Sequence, residues 1–284
     1  MESEEKVVEK SRKHKFIIAA LPVIVIVCLI PVGRAYYLSV EREKQQEFLK
    51  DVRTMEKVRR LWEEDRRQEK AEIIEKRKSG LETEDYFDAR QPVMLKKFTL
   101  LYEENNDLAG WLSIEGMVID YPVMQCENDE YYLHHDFNGK EDKYGCLYVR
   151  GKADINTPDT NFIIYGHNMR DGSMFGDLDL YKEKSFYLEH STISFDTLYE
   201  ERTYEIVAVF LSKVYNENED VFKYYQFYSA ETEEEFDYFY TNIKELSLYD
   251  TGVTAEFGDT FLTLSTCAYH VKDGRLAVVA KRVE

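Results

Sequence analysis

The sequence predicts a mostly β fold in which eight short strands close a barrel or pack as a sandwich, with helices added. Two observations carry this. From residue 81 onward, short apolar or alternating runs are separated by turn residues, the texture of all-β architectures. Tyrosine is abundant, 22 residues against 2 Trp, which favours a β-rich body, and 44% hydrophobic with 14% aromatic content is enough for a real core. Barrel closure would also remove exposed strand edges.

Residues 1–15 form a short charged tail with Lys6, Lys10, Arg12, Lys13 and Lys15, read as cytoplasmic. Residues 16–33 then supply 18 residues without charge, rich in Ile and Val and interrupted only by Pro22 and Pro31. A membrane-spanning helix needs about 20 such residues, so this stretch predicts a transmembrane anchor. The competing reading is a cleavable signal peptide ending near Gly33-Arg34-Ala35. Basic residues flank both sides, but Arg12, Lys13 and Lys15 hug the N-terminal end whereas only Arg34 is as close on the other. That asymmetry favours the N-terminus inside and the body outside, an extracellular domain on a single-pass membrane protein.

Residues 34–80 predict a charged helical spacer. Residues 41–78 have no Gly or Pro, and Glu56 with Arg60 and Glu63 with Arg67 are attractive pairs at helical spacing, although Glu43 and Glu47 repel. Phe48, Val52, Met55 and Trp62 give only a broken apolar stripe, better suited to a membrane-proximal spacer than to a coiled coil. Ser79-Gly80 ends it.

Residues 81–284 form the remaining domain. Glu84 to Tyr102 is helical in parts, broken at Gln91-Pro92. Strands are predicted at 110–114, 118–124, 145–149, 162–165, 192–195, 204–211, 261–266 and 276–281. One helix interrupts them: Thr232 and Glu235 fit a capping box, Glu233 and Glu234 place acid in the first turn, and Phe236, Phe239, Tyr240, Ile243 and Leu246 form an inward stripe.

Charge is uneven along the chain. Residues 1–80 carry 19 Lys and Arg against 15 Asp and Glu, and the rest 18 against 40, a net −22. So acidic a body excludes nonspecific nucleic-acid binding. Cys28 lies in the apolar segment, Cys126 and Cys146 are either a cross-strand pair or, more simply, two buried free thiols, and Cys267 has no obvious partner.

Cys267 draws attention for its setting. In the run FLTLSTC, Leu262 and Leu264 fall on one face of a strand while Thr263, Ser265 and Cys267 share the other, and Arg275 opens the next antiparallel strand. A thiolate is a nucleophile favoured by nearby cations, and an arginine can donate hydrogen bonds to the oxyanion of an acyl-transfer intermediate. The missing proton shuttle is met by His167, which ends the apolar run NFIIYGHN; His134, His135, His190 and His270 lack that setting. Each has a plainer reading: a buried small thiol, a structural histidine, an arginine paired with Asp273. The N–H near Ala268 is a further oxyanion donor in prospect, and Asp171, Asp177 and Asp179 read as a solvated acidic loop without the pattern of a calcium site.

At these residues the chain resembles the sortases, cysteine transpeptidases of Gram-positive cell surfaces: TLSTC with a following Arg, and an upstream YGHN. The serine of LSTC, the stretch YYLHHDFNGK at 131–140, the segment GSMFGDL and the acidic helix before the cysteine strand resemble class B. The resemblance spans roughly residues 100–284. It implies a closed eight-stranded β-barrel and a catalytic set of Cys267, His167 and Arg275, with Ser265, Thr266, Tyr269 and Asn168 at the substrate. It further implies cleavage of a Thr-containing sorting motif through a thioacyl enzyme. The acceptor would be an amine of peptidoglycan or its lipid-linked precursor, and the substrates surface proteins bearing the motif; no cofactor is needed. One departure stands out: some class B members carry an acidic residue shortly after the cysteine, whereas Asp273 comes six residues later here. Two other readings remain at this stage: a cysteine endopeptidase using water, and a non-enzymatic membrane-anchored binding barrel.

Overall fold

The computed structural model describes residues 36–37, 39–40, 42–44, 93–155 and 159–283. The chain divides into two units, Met1–Arg59 and Arg60–Glu284. In the first, the described residues are helical. The tail predicted over 1–15, the anchor over 16–33 and the remainder of the spacer lie outside the described residues. Among those described, no helix is long and apolar enough to cross a membrane.

The second unit contains the barrel. Its strands are β1 (Leu108–Ser113), β2 (Asp120–Gln125), β3 (Leu147–Val149), β4 (Asn161–Tyr165), β5 (Thr192–Thr197), β6 (Thr203–Lys213), β7 (Phe261–Cys267) and β8 (Gly274–Arg282). They close in the order β1-β2-β3-β4-β7-β8-β6-β5. The β2–β3 and β4–β7 pairings are parallel and the others antiparallel. Of the two all-β alternatives the barrel is therefore the one formed, and all eight predicted strands are present. The helices are α1 (Thr99–Glu104), α2 (Lys184–Glu189) and α3 (Glu233–Leu246), with 3₁₀ turns at Lys96–Phe98, Gly176–Lys182 and Tyr224–Gln226.

Two apolar layers explain the pattern along β6 to β8. Leu262, Leu264, Leu276, Val278 and Ala280 join one buried cluster with Val123, Ile164 and Phe195. Phe261, Ala277, Val279 and Phe210 join a second with Phe236, Phe239 and Ile243 of α3. Strands buried on both faces lose the apolar–polar alternation and read as continuous runs such as LAVVA. The α3 capping box forms as predicted, with Thr232 Oγ1 accepting from Glu235 N–H. Phe236, Phe239 and Ile243 are buried, but Leu246, at the end of the expected stripe, is exposed.

The segment after His167, whose Asp171, Asp177 and Asp179 read as a solvated acidic loop, runs in turns as far as Phe175 and then enters the 3₁₀ helix Gly176–Lys182. Phe175, the N-cap, and Leu178 and Tyr181 within the helix recur every three residues, the 3₁₀ period, and all three belong to the first cluster. Such a turn is too short for an amphipathic window to register. Asp171 and Asp179 are occupied by Tyr144, Ser173 and Lys182, and no metal-binding group of acidic or sulfur ligands occurs among the described residues. Cys126 and Cys146 are free thiols.

Near the start of β6, the fully buried Arg202 and the half-buried Arg282 both bind Glu200. Burial alone would raise the Glu200 carboxyl, but hydrogen bonds and charge from the two arginines outweigh it and hold it below its ordinary 4.5. A carboxylate depressed in the folded state stabilises the fold above its unfolded value, and that contribution is lost as pH falls through the folded one. Glu200→Gln is therefore expected to be less stable than the parent at neutral pH and to show a shallower loss below about pH 4.5. Urea midpoints measured across that range should converge in acid; parallel curves would contradict the assignment.

Candidate active site

Strand direction brings distant residues to one end of the barrel. β4 and β7 run parallel with a constant offset, Ile164 beside Leu264 and Tyr165 beside Ser265. The match continues past β4: Gly166 N–H donates to Ser265 O at 3.3 Å, Thr266 Oγ1–H to Gly166 O at 2.7 Å, and Asn168 Nδ2–H to Cys267 O at 2.8 Å. His167 thus leaves β4 in step with Cys267 at the end of β7. Gly166 permits this closeness, since a Cβ there would lie 2.4 Å from a Leu147 methyl and 2.8 Å from the Phe175 ring. β8 runs antiparallel to β7, and Arg275 is the register partner of Cys267, which sets the two Cα atoms about 5 Å apart.

The three side chains differ in their tethers. Cys267 and Arg275 are half-buried. Arg275 Nη1 donates to Gly274 O at 3.0 Å and to the main-chain oxygen of Asp273 at 3.5 Å; no ion pair joins it to the Asp273 carboxylate among the described residues. Burial pushes the phenols of Tyr148 and Tyr224 up to about 12, while the Arg275 charge acts on both in the opposite sense. His167 Nε2 lies 2.8 Å from Leu133 O. A carbonyl only accepts, so Nε2 carries the hydrogen and Nδ1 is the nitrogen free to bind and release a proton.

The remaining predicted residues separate. Asn168 spans the gap between the histidine and cysteine strands through the hydrogen bond to Cys267 O. Tyr269 is 77% exposed, its hydroxyl 3.4 Å from Asn168 O. Ser265 and Thr266 are buried at 2% exposure. Ser265 Oγ is 2.7 Å from the hydroxyl of Tyr224, itself 1% exposed, and Thr266 Oγ1 is taken by Gly166 O. Both therefore lie beneath the site, with their hydroxyls committed inside the protein, and not on an open peptide-binding surface. The Ala268 amide is also committed, to Gly274 O at 2.9 Å, so it is no free oxyanion donor.

Sequence reasoning missed the Leu133 carbonyl and the Tyr224 anchor. The first is a backbone atom without residue signature; the second sits in a segment that lacks strand or long-helix periodicity. Of the four rival histidines, His190 Nδ1 meets Glu115 O and His135 Nδ1 meets Tyr131 O, while His134 and His270 are exposed, the His134 ring centroid 6.3 Å from that of His167. A cavity of about 440 Å³ between residues 217–227 and Tyr238 is lined by none of the three central side chains.

The sortase domain family model matches residues 112–283, and sortase B of Listeria monocytogenes is 35% identical over 189 residues, 64% of this chain and 72% of that protein. The chain belongs to the sortase family, in class B. Sortase B of Staphylococcus aureus is 28% identical over 66% of the chain and 75% of its own length. The crystal structure of sortase B from Bacillus anthracis in complex with AAEK1 superposes with a TM-score of 0.59 at 32% identity, covering 68% of this chain and 90% of that one. A sortase B–substrate complex from Staphylococcus aureus gives 0.61 at 27% identity, over 67% and 86%. This sortase is accordingly an enzyme, a cysteine transpeptidase.

Proposed function

We propose that this sortase cleaves a Thr-containing C-terminal sorting motif of surface proteins and transfers the acyl product to a cell-wall amine. The observation that carries the reading is the meeting of β4, β7 and β8 at one barrel end, with Cys267 and Arg275 in register and His167 in step. The Cys267 thiolate attacks the threonine carbonyl carbon, and Arg275 donates hydrogen bonds to the resulting oxyanion. The C–N bond breaks as His167, an imidazolium, delivers the Nδ1 proton to the departing amine. A second amine, from peptidoglycan or its lipid-linked precursor, then attacks the thioester; the C–S bond breaks, the thiolate is restored, and the proton returns to Nδ1. Asn168 keeps the histidine and cysteine strands in step, Ser265 and Thr266 support the nucleophile from below, and Tyr269 stands at the rim where a peptide arrives. Residues 16–33 anchor the chain in the cell membrane, 1–15 lie inside, 34–80 act as spacer, and 81–284 work outside the cell.

Cleavage of a panel of fluorogenic sorting peptides by the full-length chain, with and without an amine acceptor, tests this. The parent is expected to cleave one motif and to form the aminolysis product when the amine is present, and Cys267→Ala to do neither. Hydrolysis unaffected by any amine would favour the endopeptidase reading. An unreactive Cys267 would sink both.

A further inference from the structure

We propose that Gly145 is a positioning residue for the proton-transfer step, acting through the main-chain carbonyl of Leu133 that holds His167. The inference rests on the role given to His167 above. Because Nε2 donates to Leu133 O at 2.8 Å, the place of that oxygen sets the tilt of the ring and leaves Nδ1 as the nitrogen turned to the proton transfer. Leu133 belongs to the connection between β2 and β3, where successive turns bind Tyr131 N–H to Asn128 O at 3.0 Å, Leu133 N–H to Glu130 O at 3.2 Å and His134 N–H to Tyr131 O at 3.1 Å. The chain then returns alongside itself, with Asp142 N–H donating to His134 O and Cys146 N–H to Tyr132 O, both at 2.8 Å.

Gly145 lies on that return limb with φ +58°, a conformation that disfavours side chains. A Cβ built there would fall 2.6 Å from Leu133 O, 2.8 Å from Leu133 C and 2.4 Å from Tyr132 O. All three are backbone atoms, and none can turn aside as a side chain does. The room that any other residue would need is filled by the oxygen that serves His167. A substituent must therefore push that oxygen back by roughly half an ångström or more, enough to strain a 2.8 Å hydrogen bond and turn the ring. Gly139, in the same connection, provides the contrast. Its φ is +71°, yet its Cβ would meet only the Tyr131 hydroxyl, at 3.1 Å. Alanine there carries the same left-handed strain without touching Leu133.

The test compares the full-length parent with Gly145→Ala and Gly139→Ala, reading kcat and KM with a cleaved peptide and the imidazole ¹⁵N resonances of His167 by NMR. A folded Gly145→Ala is expected to lose about 10²-fold in kcat, with KM held, and to shift or lose its Nε2–H signal. Gly139→Ala should keep both. A folded Gly145→Ala with parental kcat and an unchanged signal would overturn the proposal. Should Gly145→Ala fail to fold, the parent decides: neutral His167 protonated on Nε2 supports the arrangement, and on Nδ1 refutes it. A parent that turns over no peptide speaks against the proposed function, while the resonances still judge the positioning.

Discussion

Arg275→Lys is expected to lose nearly as much turnover as Arg275→Ala, each about 10²–10³-fold in kcat, the scale for removing one donor to an oxyanion. The reasoning starts from what else could serve. The backbone amide that follows the proposed nucleophile, Ala268 N–H, already donates to Gly274 O at 2.9 Å, and Asn168 Nδ2 is held by Cys267 O. That leaves the guanidinium, the register partner of Cys267. Its Nη1 is pinned by Gly274 O, so the planar fork is set before substrate arrives and its other N–H groups have a fixed direction. A lysine supplies charge but one flexible point donor, and it lacks the fork that lets one N–H anchor while another reaches forward. Initial rates of peptide cleavage, with alkylation of Cys267 as a check that the thiol stays accessible, measure this. A lysine variant within tenfold of the parent would mean that charge near the thiol suffices and hydrogen-bond geometry does not matter.

How legible this was in the sequence depended on where the signal was stored. β7 and β8 were plain, because FLTLSTC and LAVVA carry their own periodicity and a short turn between them. The proposed pairing of His167 with Cys267, across a hundred residues, rested on two apolar strands that each end in a polar side chain, and the parallel β4–β7 register brings those two strand ends side by side. The faces were harder. On an amphipathic strand, Ser265 on the face of Cys267 reads as a groove residue; a second apolar layer covers that face, so it is buried against Tyr224. Nothing in the local pattern of β7 announces a layer contributed by α3 and residues 222–230. The Leu133 contact was invisible for a different reason, since a main-chain carbonyl looks the same under every residue type.

That second layer leads to the largest stability effect expected here. Phe239→Ala should lower the unfolding free energy by about 3–5 kcal/mol, the range for removing a buried phenylalanine and leaving a cavity. Against a total of roughly 5–15 kcal/mol for a domain, the loss is severe. Phe239 has no exposed surface. Its ring stacks on Phe227 at 4.2 Å between centroids and meets Phe261 at 5.4 Å and Phe222 at 5.9 Å. The residue therefore ties three stretches together: α3, the segment that carries Tyr224, and the first residue of β7. Few neighbours can move in to fill the gap, because Phe236 already stacks on Phe261 at 5.5 Å from the same helix. Leu188→Ala, at a residue 67% exposed, controls for losing an apolar side chain without a cavity and should change stability by less than about 0.5 kcal/mol. Urea denaturation followed by fluorescence reads both. A Phe239→Ala protein within 1 kcal/mol of the parent would show that α3 is an appendage to the barrel. A loss in the expected range makes it the outer half of the core, and through Phe227 and Tyr224 part of what holds the cysteine strand still.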